Sequence, residues 1–269
     1  MNKHTLSTLI LAGLVIGMLT CPSALLFSQT DPSGSSPLTA RQIIERADEA
    51  FTGSRLYSTS TLTIYRSGKT LPPQTMESYG MEINGDYHSL TVYRAPARMK
   101  GTAYLMIEDD LWVRFSSTGR IRKLSSSAKK NSAGGSDFSY ADMGEGNQGI
   151  ADKYEVALTG EDAVAGTRCH VIDLTPKPGE DLPYEKVTAY ISTDDLRYLK
   201  LDYFEAGANI KSMILEDYRQ AGDHYYPYLV EMRSNTRDSR TVVETTLIEF
   251  DSSRVQQRLF STAYLETIR

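Results

Sequence analysis

The chain has 269 residues, a net charge of −5, and hydrophobic and charged fractions of 40% and 23%. Those values suit a globular protein of one large β domain or two small ones, and the acidic balance argues against a nucleic-acid partner, which calls for a basic face. Seventeen tyrosines against seven phenylalanines and one tryptophan favour half-buried strands.

The N-terminus reads as an export signal over residues 1–28. Lys3 supplies a positive end, and the run Leu6 to Leu19 is largely apolar but shorter than the roughly 20 residues of a membrane span. Residues 29–38 form a polar linker, and 39–269 the folded domain. Cys21 offers a lipid-anchor alternative, although Met18, Leu19 and Thr20 before it are not the small residues such an acceptor wants. With Cys21 removed, Cys169 stands alone and no internal disulfide can form.

The domain opens on an amphipathic helix, 39–52. Thr39 and Gln42 form a capping box, and Ile43, Ile44, Ala47, Ala50 and Phe51 recur at helical spacing before Gly53. Strands follow at short, regular intervals. Leu56–Arg66 alternates; Met76–Ile83 and Tyr87–Tyr93 flank the hairpin signal Asn84-Gly85-Asp86; Thr102–Ile107 and Leu111–Phe115 flank Asp109-Asp110; Arg120–Leu124 follows another turn. Later strands are Tyr154–Leu158, Arg168–Leu174, Glu185–Ile191, Arg197–Phe204, Lys211–Tyr218, Tyr225–Arg233 and Thr241–Phe250. Without helices between strands a parallel α/β sheet is excluded, leaving a curved antiparallel sheet or barrel.

Several strands have one apolar and one polar face, as in Leu111, Val113 and Phe115 against Trp112 and Arg114, or Leu199, Leu201 and Tyr203 against Lys200 and Asp202. Such a sheet must curl or be covered. The first helix is one cover. The irregular segment Ser125–Ile150, with a short helical piece near Phe138–Met143, is the second.

Motifs for chemistry are weak. Gly144–Gly149 matches G-x-G-x-x-G but lacks the preceding apolar strand and following helix of a dinucleotide site. Ser126–Lys129 matches S-x-x-K without its companion motifs, in what reads as a polar loop. Cys169 and His170 are strand neighbours that point to opposite faces, and His88 and His224 are remote, so no metal site is expected. Asp109-Asp110 and Asp194-Asp195 suit turns. No cofactor is implied, and the chain is not expected to be an enzyme.

Asp110–Leu124, Gly135–Met143, Tyr190–Lys200, Tyr226–Met232 and Arg258–Leu265 resemble blocks of the LolA-like family of outer-membrane lipoprotein-sorting proteins, with Gly135–Met143 (GSDFSYADM) the most specific. The resemblance spans roughly 40–268. It implies an unclosed β half-barrel with a helical lid, mainly β with helical cover, around a hydrophobic cavity that carries acyl chains through the periplasm. LolA's lid-locking arginine has no aligned counterpart here, so no functional residue is carried over.

The expected function is a periplasmic protein that shields the acyl chains of a lipoprotein or lipid. Its expected partners are that acylated ligand, an inner-membrane transporter and an outer-membrane receptor. The alternatives are a lipid-sensing scaffold of the same fold, or an anchored receptor if Cys21 is lipidated. Candidate cavity residues are Leu62, Ile64, Met106, Leu111, Val113, Phe115, Leu201, Tyr203, Met213, Leu215, Val230 and Met232, each of which also reads as ordinary core. Lys129 and Lys130 could meet anionic headgroups or simply be solvated.

Overall fold

The computed structural model describes residues 37–51, 53, 55–144 and 150–269. The export signal, Cys21, most of the linker and residues 145–149 of the glycine motif lie outside the described residues, as does the side chain of Ala50.

Helix α1 (Ala40–Asp48) has the capping box expected of it, Thr39 and Gln42 each bonding the other's backbone, and continues as a 3-10 turn over Glu49–Phe51. The strands are β1 (Arg55–Arg66), β2 (Lys69–Thr70), β3 (Gln74–Ile83), β4 (Asp86–Ala95), β5 (Ala103–Ile107), β6 (Asp110–Arg114) and β7 (Ile121–Lys123), then, after three short helices, β8 (Tyr154–Val164), β9 (Thr167–Pro176), β10 (Lys186–Ser192), β11 (Tyr198–Glu205), β12 (Ala208–Ala221), β13 (His224–Ser234) and β14 (Ser239–Phe250). The helices between are α2 (Ser126–Lys129), α3 (Tyr140–Gly144) and α4 (Ile150–Lys153), and α5 (Thr262–Thr267) ends the chain.

All strand pairs are antiparallel and make one sheet, ordered β7-β6-β5-β4-β3-β1-β14-β13-β12-β11-β10-β9-β8, with β2 paired to β1. The β1–β14 pair closes the middle, joining the two ends of the chain's strand sequence. The edges β7 and β8 are not paired to each other, so the barrel is unclosed.

The concave face carries two apolar clusters. One lies under α1 on β9–β13; the other lies on β1 and β3–β6; Met143 and Val243 touch both. The opposite face is not uniformly wet, as alternation had suggested. Leu90, Val92, Ala103 and Leu105 on β4 and β5 bury outward against Val255, Leu259, Phe260, Leu265 and Ile268 of the C-terminal segment. These two strands are therefore apolar on both faces, a pattern otherwise typical of sandwiched strands.

Turn chemistry explains the registers. Asn84 and Gly85 both take positive φ (57° and 94°) between the paired residues Ile83 and Asp86, as a two-residue hairpin requires. The next hairpin turns at Glu108-Asp109, one residue earlier than Asp109-Asp110: Glu108 adopts φ 51° and Asp110 already pairs with Ile107. On β11 the expected set Leu199, Leu201, Tyr203 is corrected by a bulge. Tyr190 pairs with Lys200 but Ile191 with Tyr198, so Leu199 is the extra residue and Tyr198 joins Leu201 and Tyr203 in the core.

Candidate functional site

The candidate site is the concave face and the segments 125–144 and 150–153 that roof it. Three one-turn helices replace the single helical piece expected. Ser125 caps α2, its Oγ accepting from Ala128 N at 3.3 Å, so the S-x-x-K match sits on a half-buried helical turn rather than a loop. Residues 150–153 are helical as α4, so a helical turn does follow the glycine motif, although no apolar strand precedes it.

Apolar packing holds the roof from below. Phe138 and Ala151 are buried with the α1-side cluster, Ala133 with the other, and Tyr140 stacks edge-on against Tyr104 with centroids 5.4 Å apart.

Polar bonds hold the roof along one end of the sheet. On the concave face β1 runs Leu62, Ile64, Arg66; β14 runs Val243, Thr241, Ser239; β12 runs Leu215, Met213, Lys211, with Ile64 opposite Thr241 and Arg66 opposite Ser239. In each strand the apolar stripe ends in a polar residue, and these residues catch the GSDFSYADM block. Asp137 accepts from Ser239 Oγ at 2.9 Å, Thr241 Oγ1 at 2.8 Å and Arg237 Nη2 at 3.1 Å, while its own N–H donates to Thr241 Oγ1 at 2.9 Å. Arg66 Nη2 donates to the Gly135 carbonyl at 2.6 Å. Lys211 pairs with Asp142, which also accepts from Tyr184 OH at 2.9 Å and from Ser139 N at 2.6 Å. Burial, followed by the neighbouring Asp142 charge, pushes the Tyr184 phenol far up, so it stays neutral and donates.

Both ends of the roof return to one turn. Lys129 Nζ donates to the Asp109 carbonyl at 2.6 Å, and Lys153 pairs with the Asp109 carboxylate. Arg41 of α1 reaches Asp152 at 3.2 Å, tying the two covers together.

The twelve sequence-derived candidates fall into both halves of this face. Leu62, Ile64, Met106, Leu111 and Val113 are buried in the β1/β3–β6 cluster with Phe115 at its margin. Leu201, Tyr203, Leu215 and Met232 are buried in the other, with Met213 and Val230 at its margin. Asp137, Asp142, Tyr184 and Lys211 were missed as site residues. Their signal was present: alternation along β12 puts Lys211 on the same face as Met213 and Leu215, where a lysine requires a partner. Cys169 is buried on β9, its thiol pushed up by burial and donating to Thr167 O at 3.3 Å.

Among the described residues no helix is long and apolar enough to cross a membrane.

A family model described as an uncharacterized protein matches residues 85–267. No curated protein is similar enough to match. Three crystal structures share the fold. A DUF1329 family protein from Desulfovibrio piger is 25% identical, with a TM-score of 0.77 over 84% of this chain and 97% of that one. A putative outer membrane lipoprotein-sorting protein domain from Vibrio parahaemolyticus is 21% identical, with a TM-score of 0.74 over 84% and 99%. A LolA superfamily protein from Nitrosomonas europaea is 18% identical, with a TM-score of 0.72 over 85% and 100%. The LolA-like resemblance read from the sequence is thereby borne out. The chain belongs to the DUF1329-like family of uncharacterized proteins, which is built on the LolA-like fold.

Proposed function

We propose that the protein binds the acyl chains of a lipoprotein or lipid on its concave face, beneath the roof formed by residues 125–144 and 150–153, and shields them from water in the cell envelope. The observation that carries this reading is the pairing of an extended apolar face with a cover pinned along one end by polar groups. A cover fastened by Asp137, Asp142 and Lys211 exchanges protein hydrogen bonds for water when it lifts, at a net cost of about 1.5–3 kcal/mol for each bond to a charged group. The face it uncovers would gain about 0.8 kcal/mol for each ligand CH2 group it buries. The adaptable side chains Met106, Met213 and Met232 suit chains of variable shape.

The crystal structure from Vibrio parahaemolyticus is named for lipoprotein sorting, which supports a periplasmic location and the same class of cargo for this chain. In that role the protein is a carrier without catalytic activity. It would receive cargo from an inner-membrane transporter and pass it to an outer-membrane receptor.

Native mass spectrometry of protein from a periplasmic fraction, followed by organic extraction, tests the reading. A stoichiometric lipid or acylated peptide is the expected result. A clean unliganded mass, from protein that also fails to take up a fluorescent fatty acid, would overturn it and leave the concave face as a core.

A further inference from the structure

Where β1, β13 and β14 end lies a cleft of about 360 Å³, lined by Arg66 and Ser239 of the concave face, by Tyr65, Arg233 and Arg240 of the opposite face, and by Arg237 and Asp238 of the hairpin turn between them. Four guanidiniums line it, from both sides of the strand ends, in a chain whose net charge is −5. Asp238 in the lining, Glu231 behind Arg233 and Arg240, and Asp137 on Arg237 leave one positive charge in excess.

Their donors are far from exhausted. Arg237 uses Nη2 on Asp137 at 3.1 Å, and Arg240 uses Nη1 on Glu231 at 2.7 Å while lying 4.0 Å over the Tyr65 ring. Arg66 spends Nη2 on the Gly135 carbonyl, and its Nε is buried without a hydrogen-bond partner among the described residues. A buried guanidinium N–H without an acceptor is costly, and five fixed donors per guanidinium match the oxygens of a phosphate or similar oxyanion. The volume is at the lower end of ligand sites and suits a polar headgroup rather than acyl chains.

We propose that this cleft is a binding site for a phosphate-type oxyanion, and that the anion is the headgroup of a lipid whose chains occupy the concave face; the second half of this statement rests on the function proposed above, the first does not. The site is wired to the cover. Arg66 holds Gly135 and Arg237 holds Asp137, both in the GSDFSYADM block. An oxyanion drawing these two guanidiniums toward itself competes with the bonds that keep the roof down, so headgroup capture and opening favour each other. Selection for charge would also separate anionic phospholipids from neutral diacylglycerol-type anchors.

Titration calorimetry on the full domain with three soluble probes tests this: dihexanoyl phosphatidate, dihexanoylglycerol and inorganic phosphate. Arg233→Gln is the variant, since Arg233 is exposed and Glu231 keeps Arg240 as a partner. The expected result is phosphatidate binding at least tenfold tighter than dihexanoylglycerol, weakened at least fivefold by Arg233→Gln and by raising salt. Phosphate binding that the variant weakens, with neither lipid bound, would retain the anion site, assign it to a free anion and remove the acyl-chain reading. Equal affinity for both lipids with no response to phosphate would overturn the anion site and leave the acyl-chain reading standing. No binding of phosphate or phosphatidate to the wild-type domain would overturn it outright.

Discussion

Lys211 on β12 and Asp142 on α3, 69 residues apart in sequence, form an ion pair in which the side chains are only 10% and 4% exposed. The Lys211 ammonium also lies 4.9 Å from the Tyr184 ring centroid and 5.2 Å from that of Tyr203, so strand, cover and aromatic wall meet at one charge. Breaking a buried pair from one side strands a charge and costs about 3–5 kcal/mol, whereas replacing both members with apolar groups is often neutral. Lys211→Met should therefore lose several kcal/mol in urea unfolding and speed hydrogen exchange across 135–144, and the double variant Lys211→Met/Asp142→Asn, which removes both charges and keeps an acceptor for Tyr184 OH and Ser139 N, should recover much of the stability. A single variant within about 0.5 kcal/mol of wild type would show that the pair does not fasten the cover.

A pH dependence follows from α1. Asp48 is buried against the sheet and accepts from Tyr198 OH at 2.8 Å. Burial pushes its carboxyl from 3.8 up to about 7, with the Tyr198 bond opposing and Glu45 adding to the rise. The folded state thus binds this proton more tightly than the unfolded chain. Its stabilisation is complete below about pH 4 and is lost as the pH climbs to about 7, flat thereafter, by at most roughly 4 kcal/mol at about 1.4 kcal/mol per pH unit. Asp48→Asn keeps an acceptor for Tyr198 and should flatten this part of the profile, making the variant the more stable protein at pH 8. Identical slopes for wild type and variant between pH 4 and 7 would contradict it.

The two apolar layers should respond differently to truncation. Met232→Ala on the concave face and Leu265→Ala under the outer face both remove fully buried side chains and should each cost about 2–5 kcal/mol. If the concave face holds acyl chains, a saturating short-chain fatty acid should restore stability to Met232→Ala and not to Leu265→Ala, read as the midpoint of thermal unfolding. Equal recovery in both, or none in either, would count against a ligand on that face.

Gly80 on β3 has no room for a side chain: an added Cβ would lie 1.8 Å from the Tyr87 hydroxyl oxygen, across the β3–β4 hairpin. Gly80→Ala must displace that ring and should destabilise by about 1–3 kcal/mol, and Gly80→Ala/Tyr87→Phe should relieve part of the loss. Wild-type stability in Gly80→Ala would show that the ring moves freely.

What could be read from the sequence was what local chemistry determines. The Thr39–Gln42 capping box and the Asn84-Gly85 turn rest on neighbouring residues, and strand alternation placed all twelve cavity candidates on one face. The rest depends on partners remote in sequence. The Leu199 bulge appears only when β11 is laid against β10, and the outward burial of Leu90 and Leu105 needs the C-terminal segment. The roof is short of apolar periodicity because bonds from Asp137 to residues about 100 positions away do much of the fastening. The arginine cleft likewise combines residues from β1 and the β13–β14 hairpin.

The most direct test of a ligand beneath the cover is photolabelling with a diazirine fatty acid, with adducts mapped by peptide mass spectrometry. Saturable labelling of concave-face and roof residues such as Met143, Leu201, Met213 and Met232 is expected, enhanced by Lys211→Met. Labelling confined to the exposed apolar residues Leu158, Tyr225 and Leu247, or labelling that an excess of unlabelled fatty acid does not displace, would contradict it.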